Sequence, residues 1–262
     1  MNTVTSSDGT SIAYDRTGGG APVILIGGAF SYRRFPGFLK LADLLSPDFT
    51  VYNYDRRGRG DSGDTAPYAV EREIEDLDAM IKEAGGAAHV FGMSSGAALA
   101  ITAAAQGSDI RSLALYEPPY MVGDEGHRPP ADSAEHLDRL VADGRRSEAA
   151  RYFFTQVMGA PAFVAVIMRL LPVWKRLTAV AHTLPHDHAI MGDFSFPAER
   201  VAGIDVPTVA IAGGKSPATL VAATRAVAAA NPRIGLELLE GQNHNVDFKV
   251  LAPAIADHFR KF

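Results

Sequence analysis

The chain has 262 residues, a net charge of -5, 47% apolar and 21% charged side chains, and no cysteine. This is the composition of a globular protein able to bury a sizeable core, and it excludes disulfide staples, thiol catalysis and thiolate metal sites. No long basic stretch is present, and the longest apolar runs, such as 160–168, stop short of the roughly 20 residues of a membrane span, so neither nucleic acid nor membrane is an expected partner.

The opening residues, MNTVTSSDGT, lack the basic and apolar segments of a secretory signal, which makes a cytoplasmic location the expectation. An Asp8-Gly9 turn between two alternating runs then signals a hairpin at a sheet edge. Short β-branched runs follow at 22–28, 49–55, 88–93, 110–117, 206–214 and 233–241, separated by helix-like segments. That alternation predicts a mostly parallel sheet covered on both faces. In the helix predicted over 68–84, Val70, Ile74, Leu77 and Ile81 form the apolar stripe and the carboxylates fall on the other face. The last predicted helix is 247–262. Between Tyr120 and Phe196 the strand pattern stops, and apolar residues such as Phe153, Phe154, Phe163, Ile167, Leu170 and Trp174 suit helices. Residues 1–120 and 197–262 are therefore expected to form one core domain, with 121–196 inserted as a helical cap.

Chemistry concentrates at strand ends. The run HVFGMSSGAALA, 89–100, holds Gly92-x-Ser94-x-Gly96 between an apolar strand and an alanine-rich helix. A serine on such a strained strand-to-helix turn presents its hydroxyl as a nucleophile, and the glycines two positions away relieve crowding across the turn. Ser94, not Ser95, is centred between them. The following helix N-terminus offers free amides to an oxyanion, so the Ser95 amide is paired with that of Ala29, which follows the Gly27-Gly28 turn in LIGGAFSYRR. His244, in EGQNHNVD after the last strand, is the expected general base, because serine first and histidine last is the chain order of a nucleophile elbow fold. In HTLPHDHAI, His182, His186 and His188 invite a metal reading, but Pro185 is expected to interrupt any aligning helix; a solvated hinge of the cap is the preferred reading, with no metal or cofactor.

Together YDRRGRGDSGD at 54–64, FGMSSGA at 91–97 and GQNHN at 241–245 resemble the α/β hydrolase superfamily over nearly the whole chain outside the cap. The resemblance implies an α/β hydrolase fold, a mostly parallel central sheet flanked by helices with an inserted helical cap. It implies a Ser-His-acid triad and structural ion-pairing roles for Arg56, Arg57 and Asp61. It also implies an aspartate in the loop after the strand 206–214. Gly213, Gly214, Lys215, Ser216 and Pro217 stand there instead, so that loop looks vacated. Some members resemble this chain in carrying the acid one strand earlier, which points to Glu117 in LALYEPPY, with Asp193 in reserve and Asp124 and Asp247 behind it; Asp247 stands where it would cap a helix.

The expected activity is hydrolysis of an ester, lactone or thioester of a small to medium apolar acyl compound. Phe30, Met93, Phe153, Phe154 and Trp174 are candidates to line the acyl pocket, although such a stripe also suits cap core. A small-molecule substrate is the expected partner, and the oligomeric state is left open. The rival readings are a lyase, cyclase, cofactor-free haloperoxidase or carbon-carbon hydrolase using the same site, or a non-catalytic small-molecule binder.

Overall fold

A computed structural model describes residues 1–123 and 126–262. Among them, eight strands form one sheet: β1 (Asn2–Thr5), β2 (Ser11–Gly18), β3 (Ala21–Ile26), β4 (Phe49–Tyr54), β5 (Ala88–Met93), β6 (Ile110–Tyr116), β7 (Thr208–Gly213) and β8 (Ile234–Leu239). Their spatial order is β1-β2-β4-β3-β5-β6-β7-β8. The hairpin β1-β2 forms at the Asp8-Gly9 turn, β2 runs antiparallel to β4, and every later pairing is parallel.

Eleven α-helices complete the described chain: α1 (Pro36–Leu45), α2 (Val70–Glu83), α3 (Ser95–Ala105), α4 (Ser133–Ala142), α5 (Arg146–Tyr152), α6 (Ala162–Arg169), α7 (Val173–Ala179), α8 (Leu184–Met191), α9 (Ala198–Ala202), α10 (Ala218–Ala230) and α11 (Phe248–Phe259). Strand side chains alternate between two apolar layers. Val23 and Leu25 of β3 face the layer that also holds Leu41 of α1 and Ile255 of α11, whereas Ile24 and Ile26 face the layer containing α2, α3 and the inserted helices. A strand buried on both faces has no polar side to show, which is why these runs read as continuously apolar.

Helices α4 to α9 lie between β6 and β7, and α4 to α8 fall within 121–196, where the change of pattern predicts the insertion. The ends of that segment meet in a bridge of Met121 with Ser195, and the Met121 N–H donates to the Phe194 carbonyl at 2.7 Å. Phe163, Val166 and Ile167 of α6 and Leu170 just past its end are exposed, so Phe163, Ile167 and Leu170, three of the six apolar residues that suit helices in this stretch, face outward.

Two expectations need correction. Glu73 and Asp76 of α2 are buried rather than on its solvent face. Arg56 binds Glu73 at 2.6 and 2.7 Å, and Arg57 binds Asp76 at 2.7 and 2.8 Å, so each carboxylate enters the interior with a fork of charged donors. Nor does Pro185 break a helix: it stands in the first turn of α8, where its missing N–H costs nothing. The segment is not a solvated hinge, since His186 and His188 are buried. His186 stacks on Tyr68 with centroids 3.8 Å apart, His188 Nε2 lies 2.7 Å from Ser133 Oγ, and His182 Nε2 lies 2.7 Å from the Gly58 carbonyl oxygen. The ion-pairing roles expected of Arg56 and Arg57 are matched by these contacts, and Asp61 pairs with Arg33 and Arg34.

Candidate active site

Ser94 occupies the turn between β5 and α3 with φ 56 and ψ -125. Such a conformation costs on the order of 1–3 kcal/mol in a non-glycine residue and persists only where its surroundings enforce it. Enforcement is visible on both sides: the Ser94 N–H donates to the Tyr116 carbonyl at 2.8 Å, and α3 lies so close to the sheet that the glycines cannot be replaced. A Cβ on Gly92 would come 2.6 Å from the Gly96 carbonyl oxygen, and one on Gly96 would come 2.5 Å from that of Ile26. Among the described residues four non-glycine positions have positive φ, namely Phe30, Ser94, Glu117 and Phe194, and the first three fall within the expected site.

Glu117, one residue past β6, is fully buried. Its Oε2 lies 2.6 Å from His244 Nδ1, while Oε1 accepts the Gly213 N–H at 2.7 Å and the Ser216 hydroxyl. Burial pushes this carboxyl up, but the hydrogen bonds from His244, Ser216 and the Gly213 amide outweigh it and hold it below the ordinary glutamate range. An ionised carboxylate only accepts, so the ring proton sits on Nδ1 and leaves the Nε2 lone pair available as a base. The histidine loop is anchored from the same strand, since the Tyr116 hydroxyl donates to the Asn243 carbonyl at 2.7 Å.

The loop after β7 is therefore not vacated: it supplies two donors to a carboxylate delivered from the neighbouring strand. Asp193 is elsewhere, exposed and accepting the Ser195 N–H at 2.9 Å. Asp247 caps α11 by accepting the Lys249 N–H, and Asp124 lies outside the described residues. Removing the Ser216 hydroxyl takes away one bond to a charged group, worth about 1.5–3 kcal/mol. Ser216→Ala is thus expected to lower kcat about tenfold with KM little changed, a loss that steady-state kinetics on an activated ester would detect.

Ala29 follows the β3 end. The Gly28 carbonyl is fixed by the Ser31 hydroxyl at 2.8 Å, the Ser31 N–H at 3.2 Å and Arg59 Nη1 at 2.7 Å. Ser95 is the first residue of α3, and first-turn amides have no intrahelical acceptor. Its hydroxyl is buried and donates to Asp187 at 2.8 Å. Phe30 stacks on Phe154 with centroids 4.6 Å apart and meets Phe153 edge-on at 5.6 Å, and Phe154 in turn approaches Trp174 at 6.3 Å. Phe153 and Phe154 open a π-helical turn, Phe153–Val157, a form often found at functional sites. Phe153 and Trp174 are buried, with Trp174 Nε1 donating to Ser147, whereas Phe154 and Met93 are half-buried.

Neither Arg59 nor Asp187 is singled out by motif reasoning, yet both touch this site. Asp187 is buried on α8 and accepts from Arg56 at 2.8 Å, Arg59 at 2.7 Å and Ser95. Burial raises its pKa, but the two guanidiniums and the Ser95 hydroxyl overcome that and lower it to about 2. Its only sequence signal is an acidic residue between two histidines, after a stretch free of acids from 149 to 186.

A mostly parallel sheet with a strained serine at a strand-to-helix turn, and a carboxylate-bound histidine after the last strand, defines an enzyme of the hydrolase class. Residues 20–253 match the model of the alpha/beta hydrolase family, and the chain belongs to that family. An alpha/beta hydrolase from Sphaerobacter thermophilus DSM 20745 is 51% identical, with a TM-score of 0.93 over 98% of this chain and 100% of that one. A hydrolase from Pseudomonas aeruginosa PA01 is 25% identical, with a TM-score of 0.74 over 98% and 97%. The N-formylmaleamate deformylase of Pseudomonas putida KT2440 is 37% identical over 119 residues, a match that spans 44% of this chain and 44% of that relative.

Proposed function

We propose that this hydrolase cleaves an ester, lactone or thioester of a small to medium apolar acyl compound through an acyl-enzyme. Ser94 Oγ attacks the carbonyl carbon while His244 Nε2 takes its proton. Glu117 holds the Nδ1–H and stabilises the imidazolium, and the Ala29 and Ser95 amides receive the developing oxyanion. The histidine then protonates the leaving group, and a water molecule, activated by the same base, releases the acid. The reading rests above all on the 2.6 Å contact of Glu117 with His244, which fixes the tautomer the chemistry needs. Residues 121–196 serve as the cap over this site, and the half-buried Phe154 and Met93, with Phe30 behind them, are its acyl contacts. The chemistry calls for no metal or cofactor.

A second reading comes from the curated relative, whose name marks removal of a formyl group from N-formylmaleamate. In that case the same site would hydrolyse an N-formyl amide. The experiment that tests both begins with a fluorophosphonate, from which a serine hydrolase displaces fluoride. Peptide mass mapping is expected to find the adduct on Ser94. Turnover of p-nitrophenyl esters of graded chain length then supports the first reading, and formate release from N-formyl amides the second. An adduct without either turnover points to a lyase or cyclase, and no adduct with tight binding of an apolar ligand points to a binder.

A further inference from the structure

The Gly28-Ala29 peptide borders the nucleophile: a Cβ on Gly28 would stand 2.9 Å from Ser94 Cβ and 3.5 Å from Ser94 Oγ. This peptide is trans, so its C=O and N–H point to opposite sides. Whatever holds the Gly28 carbonyl therefore also aims the Ala29 N–H. Arg59 shares that hold with the Ser31 hydroxyl and N–H, its Nη1 lying 2.7 Å from the Gly28 oxygen and 3.2 Å from that of Ser31. The rest of the same guanidinium reaches into the inserted segment: Nε donates to Thr183 Oγ1 at 3.1 Å and Nη2 to Asp187 Oδ2 at 2.7 Å. The other carboxylate oxygen, Asp187 Oδ1, accepts the Ser95 hydroxyl at 2.8 Å and Arg56 Nη1 at 2.8 Å. One buried carboxylate on α8 thus touches the residue bearing one oxyanion amide and the arginine that aims the other.

We propose that Arg59 and Asp187 are positioning residues for the oxyanion hole, through which seating of helix α8 sets the direction of both amides. The proposal rests on the acyl-enzyme reading of Ser94. Its energetic sense is that Arg56 and Arg59 converge in a buried space where Asp187 and Glu73 balance their charge. Without the Asp187 charge the repulsion between the two guanidiniums is less offset, and Arg59 loses its charged partner and is left to Thr183 and the Gly28 and Ser31 carbonyls. Neither residue contacts substrate; both act through backbone geometry.

The test compares Asp187→Asn and Arg59→Lys with Asp76→Asn, which breaks an equally buried arginine pair that touches neither amide. Fluorophosphonate titration of Ser94 to completion counts competent sites in each protein, so that kcat is expressed per site. For Asp187→Asn and Arg59→Lys the expectation is a fall in kcat of about 10- to 100-fold with KM within about threefold, the cost of a misaimed oxyanion donor. Affinity for an alkylboronic acid, whose tetrahedral adduct places an oxygen in the hole, should fall by a similar factor. Asp76→Asn should lose thermal stability and keep kcat per site. Unchanged kcat per site and boronate affinity in the first two variants would overturn the proposal, as would an equal loss in Asp76→Asn. Should Asp187→Asn fail to fold, Ser95→Ala removes a single hydrogen bond of the brace and is expected to cost about three- to tenfold in both readouts; no change there counts against it. A wild-type enzyme that takes no Ser94 adduct refutes the acyl-enzyme reading itself, an outcome separate from a labelled enzyme whose brace variants behave normally.

Discussion

Replacing Ser94 with alanine is expected to lower kcat on an activated ester by about four to six orders of magnitude, because the proposed acyl-enzyme path loses its nucleophile while the binding surface stays in place. The neighbouring serine offers no substitute. Ser95 Oγ is buried and committed to Asp187, whereas Ser94 is half-buried. The variant keeps a Cβ at the φ 56 position, so it inherits the wild-type backbone demands and should fold like the parent. Initial rates at high enzyme concentration, with circular dichroism as the folding control, measure the effect. Residual activity above about one per cent of wild type would remove Ser94 from the role of nucleophile.

Glu117→Gln should cost about three to four orders of magnitude in kcat with little change in KM. The reason lies in the donors around the side chain. Gly213 N–H and the Ser216 hydroxyl both point at Oε1, so the amide of the variant must put its oxygen there. Its NH2 then faces His244 Nδ1, which must turn a lone pair toward it, and the ring proton moves to Nε2. In that tautomer the nitrogen needed as a base is already occupied. A pH-rate profile and kcat values for Glu117→Gln and Asp193→Asn decide the point: the second should match wild type, since its carboxylate is exposed and accepts the Ser195 N–H two residues on. A Glu117→Gln enzyme within tenfold of wild type, beside a crippled Asp193→Asn, would move the acid.

What the sequence makes legible here is whatever backbone geometry demands of particular residue types. The elbow glycines, the Asp8-Gly9 hairpin and the doubly buried strands announce themselves because few other residues fit those places. Long-range polar contacts leave no such mark. The bond from Ser216 to Glu117 joins residues 99 apart, so a loop without a carboxylate looks empty when it is in fact a donor to one. Periodicity assigns Glu73 and Asp76 to solvent because it ranks side chains by hydrophobicity, and a buried arginine partner reverses that ranking. Pro185 signals a break only if a helix already precedes it; at the second helical position it starts one. Asp187 needs two arginines more than 120 residues away before its burial makes sense.

Met93 and Tyr116 are paired in the parallel ladder of β5 with β6, so Ser94 and Glu117 are the next residues out on adjacent strands at the same level. The two groups are separated by 22 intervening residues, most of them in the α3 crossover, and neither strand can present its group until the other is docked in register. A slip of one residue would turn every side chain of the strand to the opposite face. Recovery of hydrolase activity during refolding would therefore clock the closure of this central pairing, a long-range event, and not the earlier formation of α3 or of the terminal hairpin.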